Sequence, residues 1–293
     1  FRILKDLQGN NTSAKLIRYG IYYYLLSSLA TWFLAYVIVN QGKTNLYYNT
    51  VYFYLHFLYN GFFVFALFGL LFKIFENQQI VISEKLKQHF FLYLNIACVP
   101  AYALSILWSD VPLAFNLFGF AASVLQLISL VFLIKIMRQA LLQMNWHFIS
   151  KLLLKFGLIS YGLKIISQIL SAFPYIVEKS LALKPFFIIG YLHLFTLGFL
   201  SVLLFLILDQ MGKLNLHKPT SKVGLILFLV GVFITESLLF LQGFLFLLQF
   251  DAIKNYSLIL LIFSFLMVVG LLVVFGNQFS RKIRANSIGN EYI

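Results

Sequence analysis

Residues 223–246 read VGLILFLVGVFITESLLFLQGFLF, twenty-four residues in which Glu236 is the sole ionisable group. A helix crosses about 30 Å of hydrocarbon with roughly 20 apolar residues, so this stretch predicts a transmembrane helix. Seven more blocks of similar character surround it, approximately at Ile21–Val39, Tyr48–Phe72, Phe90–Trp108, Leu113–Ile134, Leu152–Phe173, Phe186–Leu208 and Tyr256–Phe275. The period-2 alternation of a membrane barrel is absent. Backbone groups in hydrocarbon must be satisfied within their own segment, so the prediction is an all-α polytopic transmembrane bundle of about eight spans, one helical domain over residues 1–293. Pro100 falls inside the third span and predicts a kink there. Pro112, Pro174, Pro185 and Pro219 lie at span ends.

Composition points the same way. Of 293 residues, 61% are hydrophobic and 11% charged, against about 25% charged in soluble domains. The loops leave no room for a separate soluble catalytic domain. A net charge of +13 raises the question of nucleic acid, but the basic residues form no stripe or tail. They fall in short loops, and the predicted partner is the lipid bilayer. Loops on one side carry Arg2, Lys5, Lys15, Arg18, Lys73, Lys85, Lys87, Lys135, Arg138, Lys151, Lys155, Lys213, Lys218, Lys222, Arg281, Lys282 and Arg284; the other side carries Lys43, Lys179, Lys184 and Lys254. The positive-inside rule then places both ends of the chain on the cytoplasmic side, as expected for a bacterial inner-membrane protein. Tyr47, Tyr48, Tyr52 and Trp108 fit an outer aromatic belt, and Tyr19, Tyr22 and Trp146 an inner one. The opening FRILKDL reads as the exit from an earlier segment. The single cysteine, Cys98, reads as a small buried hydrophobe.

His89, His147 and His217 fall in loops and read as solvated or interfacial. His56 and His193 lie well inside spans, where ionisable groups are costly and mark candidate functional sites. Their contexts match: residues 54–62 read YLHFLYNGF and residues 191–199 read YLHLFTLGF. The copies are 137 residues apart, in the second and sixth spans, which suggests a four-helix repeat. Each histidine sits seven or eight residues from the outer end of its span, roughly 10–12 Å deep. Imidazoles at one depth suit haem or copper ligation, a proton relay, or interhelical hydrogen bonding. Gly61 and Gly198 open space beside them for a planar group or a neighbouring helix. Lys164 and Glu236 are further ionisable groups within spans, candidates for an ion pair or a proton path. Tyr161, Lys164 and Gln168 share one helix face, and Tyr59 could extend the polar interior.

The segments VYFYLHFLYNGFF (51–63) and IIGYLHLFTLGFL (188–200), with VPAYALSILW (99–108) and LKIISQILSAFP (163–174) between them, resemble a bacterial membrane family. That family is similar in turn to the catalytic subunit I of haem-copper oxidases and nitric-oxide reductases. The resemblance implies four upstream helices and a twelve-helix fold of which this chain is the C-terminal part. It places His56 at a copper-site position and His193 at a haem-ligand position, and implies respiratory redox partners. The chain departs from the oxidase pattern: the third span has no adjacent histidine pair, and the sixth has one histidine where the family has two. A complete haem–copper centre therefore does not follow, nor do oxygen reduction and proton pumping. Three function classes remain open: a haem- or metal-binding redox protein, a proton-coupled transporter or channel, and a non-catalytic membrane subunit or assembly factor.

Overall fold

The computed structural model describes residues 9, 11–109 and 111–289, except the side chains at positions 180, 181, 184 and 279–289. The FRILKDL opening, and the side chains of Lys184, Arg281, Lys282 and Arg284, lie outside that description. The described chain is all helix, without a strand: α1 (Thr12–Gln41), α2 (Asn45–His56), α3 (Val64–Asn77), α4 (Glu84–Cys98), α5 (Tyr102–Ser105), α6 (Ala114–Gln143), α7 (Phe148–Ser171), α8 (Pro174–Ala182), α9 (Lys184–His193), α10 (Val202–Gln210), α11 (Pro219–Leu247) and α12 (Tyr256–Gly289). Two π-helical turns, Phe57–Phe63 and Leu194–Ser201, join α2 to α3 and α9 to α10 without a break.

Among the described residues, seven helices are long and apolar enough to cross a membrane. They match seven of the eight predicted spans and extend beyond most of them into polar flanks. The third predicted span differs. Instead of one kinked helix, α4 stops at Cys98, residues 99–101 turn, and the short α5 and a 3-10 turn at Leu107–Ser109 complete the path. Pro100 has no N–H to donate, and its ring clashes with the carbonyl four residues earlier, so the ladder ends there. The other prolines begin helices more than they end them. Pro174 and Pro219 are first residues, and Pro185 lies in the first turn of α9, where the missing N–H would be unpaired anyway.

The chain forms two compact units, residues 1–145 with 162–181, and residues 146–161 with 182–293. In the first, α1 packs on α2 and α3, and α4 runs along α6. In the second, α9 packs on α11, and α11 runs along α12. The four-helix repeat suggested by the histidine motifs extends into this packing at the same 137-residue shift. Gly20 sits against Phe65 and Ala66, and Gly157 against Val202 and Leu203. The ring of Tyr24 meets Phe62 at 5.2 Å, and that of Tyr161 meets Phe199 at 4.8 Å.

Gly61 and Gly198 also serve a common purpose, and their occupant is a neighbouring helix. A Cβ on Gly61 would come within 2.5 Å of the Tyr23 Cβ, and one on Gly198 within 2.7 Å of the Ser160 Oγ. Gly61→Ala is therefore expected to destabilise the first unit by about 1–3 kcal/mol through overpacking. Gly276→Ala, with no atom of the described residues within 4 Å of the new methyl, should cause a smaller loss. Thermal denaturation of the two variants in detergent compares them directly.

Candidate functional site

Each YLH motif ends α-helical winding at its histidine and continues as a π-turn, over Phe57–Phe63 after His56 and Leu194–Ser201 after His193. In the first, the Val64 N–H reaches the Tyr59 carbonyl five residues back. In the second, the Ser201 hydroxyl donates to the Thr196 carbonyl at 2.8 Å. A π-turn widens the helix and shifts the register of the side chains beyond it; such turns concentrate at functional positions.

His56 is buried, and both its ring nitrogens are engaged. Nε2 lies 2.8 Å from the Cys98 carbonyl, which can only accept, so the ring proton is assigned to Nε2. Nδ1 then faces the Asn60 amide nitrogen and the Ser105 hydroxyl, each at 3.4 Å. Cys98 can offer its carbonyl because of the break at Pro100. In a continuous helix that oxygen would take the Tyr102 N–H, but here Tyr102 donates to Val99. The imidazole thus closes an otherwise unsatisfied backbone group. The rings of Phe57 and Tyr102 pack edge-on against it, with centroids at 5.1 and 5.8 Å.

His193 occupies the equivalent place in the second unit but has a different partner. The 137-residue shift carries Cys98 and Val99 to Thr235 and Glu236. α11 has no proline here and continues unbroken, so its carbonyls stay in the helix ladder and a side chain faces the imidazole instead. His193 Nδ1 lies 3.6 Å from Glu236 Oε1. The Glu236 side chain is 8% exposed and the imidazole 46%. Neither carboxylate oxygen of Glu236 has a hydrogen bond among the described residues.

The remaining candidates divide between the units. Lys164 is buried in the first, donating to Gln126 Oε1 at 3.1 Å. Gln168, also buried there, has an Oε1 with no hydrogen bond among the described residues. Tyr161 belongs to the second unit, as does Glu236. Tyr59 is half-buried and stacks on Phe63 at 6.1 Å. Lys164 and Glu236, expected as one pair or path, thus each have a neighbour within their own unit, Gln126 and His193. Cys98 is buried and free, as its sequence context suggested. Among the described residues, no group of three or more His, Cys, Asp or Glu side chains is placed to hold a metal ion.

One cluster was not evident from the sequence. Asp209, at the far end of the helix that carries His193, is buried and accepts from the Ser150 hydroxyl at 2.9 Å and the Leu216 N–H at 3.3 Å. His217 Nε2 lies 3.4 Å from the same carboxylate, and the rings of His147 and His217 lie 4.2 Å apart. The loop position of both histidines suggested a solvated or interfacial place; an Asp closing an apolar span was the available signal. No protein-family profile, curated protein or solved structure matches the chain.

Proposed function

We propose that the protein is an integral protein of the bacterial inner membrane, with both ends of this chain cytoplasmic, that moves protons through its second unit by way of the His193–Glu236 pair. The observation that carries this reading is a carboxylate buried between membrane helices, without a hydrogen-bond donor among the described residues, and with an imidazole at 3.6 Å. A polar group buried unsatisfied costs a few kcal/mol, and an ionisable group kept within a span despite that cost marks ion or proton pathways. Carboxylate and imidazole can share one proton, and the second ring nitrogen can pass it on. His56, with both nitrogens bound and its ring enclosed, serves as the structural counterpart.

The test is proton movement in proteoliposomes carrying an entrapped pH dye, driven by a potassium diffusion potential. His193→Gln is expected to reduce the flux at least ten-fold. Wild-type vesicles no leakier than empty ones would overturn the reading.

A second reading keeps the resemblance to the oxidases. A metal-bound histidine usually turns its other ring nitrogen to a carboxylate, and Glu236 stands on the Nδ1 side of His193. His193 therefore fits a single haem or metal ligand through Nε2, whereas His56, with Nε2 turned to the Cys98 carbonyl, offers only Nδ1, which already faces Asn60 and Ser105. On this reading, the purified protein carries a Soret band that disappears in His193→Ala and persists in His56→Gln. A colourless, metal-free, folded preparation rejects it.

A further inference from the structure

We propose that Asp209, His217 and His147 form the proton-loading station of the second unit, at the opposite end of the helix from the His193–Glu236 pair. This inference rests on the proton-transfer reading above. Asp209 follows His193 by sixteen residues along the Pro185–Gln210 helix, a separation of about 24 Å at 1.5 Å per residue. One membrane-length helix thus carries one carboxylate–imidazole contact at its end and another well inside its opposite half.

The cluster is graded from solvent to interior. His147 is exposed, the His217 side chain is 34% exposed, and that of Asp209 is 1% exposed. The two imidazoles are in ring contact, and His217 Nε2 faces Asp209 Oδ1. The Asp209 Oδ2 takes the Ser150 hydroxyl, and the Gln210 amide lies 3.3 Å from both Ser150 and Asp209. The carboxylate is therefore held on both oxygens, Oδ1 taking the Leu216 N–H, and meets the His217 ring through Oδ1. Imidazole is the side chain whose ordinary protonation range spans pH 5 to 8. A proton taken from bulk water by His147 or His217 can pass to the Asp209 carboxylate, which returns the ring to its neutral form.

The neighbouring charges sharpen the argument. Lys151, Lys213 and Lys218 all lie within four residues of a cluster member in sequence. The ion-pair contact that Asp209 makes among the described residues is nevertheless with His217. The first repeat makes the opposite choice. Its Ser13, the counterpart of Ser150, donates to Glu76 at 2.7 Å, and Glu76 pairs with Lys73 at 3.6 Å. A lysine ammonium can only donate, whereas an imidazole carries two ring nitrogens that can donate or accept. At both places, then, the second repeat sets an imidazole against a carboxylate where the first does not.

The closing experiment compares proton flux in proteoliposomes for wild type, Glu236→Gln and the double variant His147→Gln/His217→Gln. The double variant leaves the bonds of Asp209 to Ser150 and Leu216 in place, which Asp209→Asn would disturb. It is expected to cut flux at least five-fold at neutral pH, and imidazole added on the face bearing Asp209 is expected to restore it. Undiminished flux in the double variant, with Glu236→Gln inactive, overturns the loading station and leaves the proton-transfer reading standing. Loss that imidazole does not repair assigns the two rings a structural role and also overturns it. No flux in wild type removes both proposals.

Discussion

Glu236→Gln is expected to lower proton flux through the reconstituted protein at least ten-fold, since a positioned proton-transfer group contributes about 10²–10⁴-fold. The amide has nearly the shape of the carboxyl it replaces, so the packing of α11 is preserved. It cannot take up a proton and return it, so the 3.6 Å contact with His193 Nδ1 ceases to be an exchange site. Stability should change little, because the carboxyl has no hydrogen bond among the described residues to lose. Loss of flux together with an unchanged melting temperature would separate a working group from a packing group. Flux equal to wild type would reject the pair as a proton path.

His56→Ala is expected to produce the opposite pattern, a large loss of stability with little direct effect on transport. The substitution empties the volume between Phe57 and Tyr102 and leaves the Cys98 carbonyl without the donor now 2.8 Å away. An unsatisfied buried acceptor and a new cavity together cost about 2–5 kcal/mol. His56→Gln should recover part of that, since its amide can donate to the same carbonyl. Thermal denaturation in detergent gives the ranking wild type, His56→Gln, His56→Ala. Flux normalised to folded protein should stay near wild type in both variants. Flux abolished in a stable His56→Gln protein would show that the two histidines act together.

The two histidines show how far the sequence could be read. Their shared YLH context and the glycine five residues later were visible, because a repeat in sequence needs no knowledge of packing. So was membrane character, since a run such as residues 223–246 has one favourable environment whatever it packs against. What each imidazole touches was not visible. That depends on which residue of the third helix in each repeat faces it, and a single proline decides the outcome: Pro100 frees a backbone carbonyl for His56, while the unbroken α11 presents the Glu236 side chain to His193. The π-turns were equally hidden, because a wider turn is stabilised by close helix contacts such as Gly61 on Tyr23 and Gly198 on Ser160.

The Asp209 cluster marks the same boundary. Ser150, Asp209, His217 and His147 come from the start of one helix, the end of another and two loops. Local sequence therefore determined the helices, their apolar lengths and the repeat, all of which arise from backbone hydrogen bonding and the transfer of side chains into hydrocarbon. Tertiary structure alone decided which ionisable groups meet, because contacts between distant segments depend on helix packing and on where each helix is allowed to break.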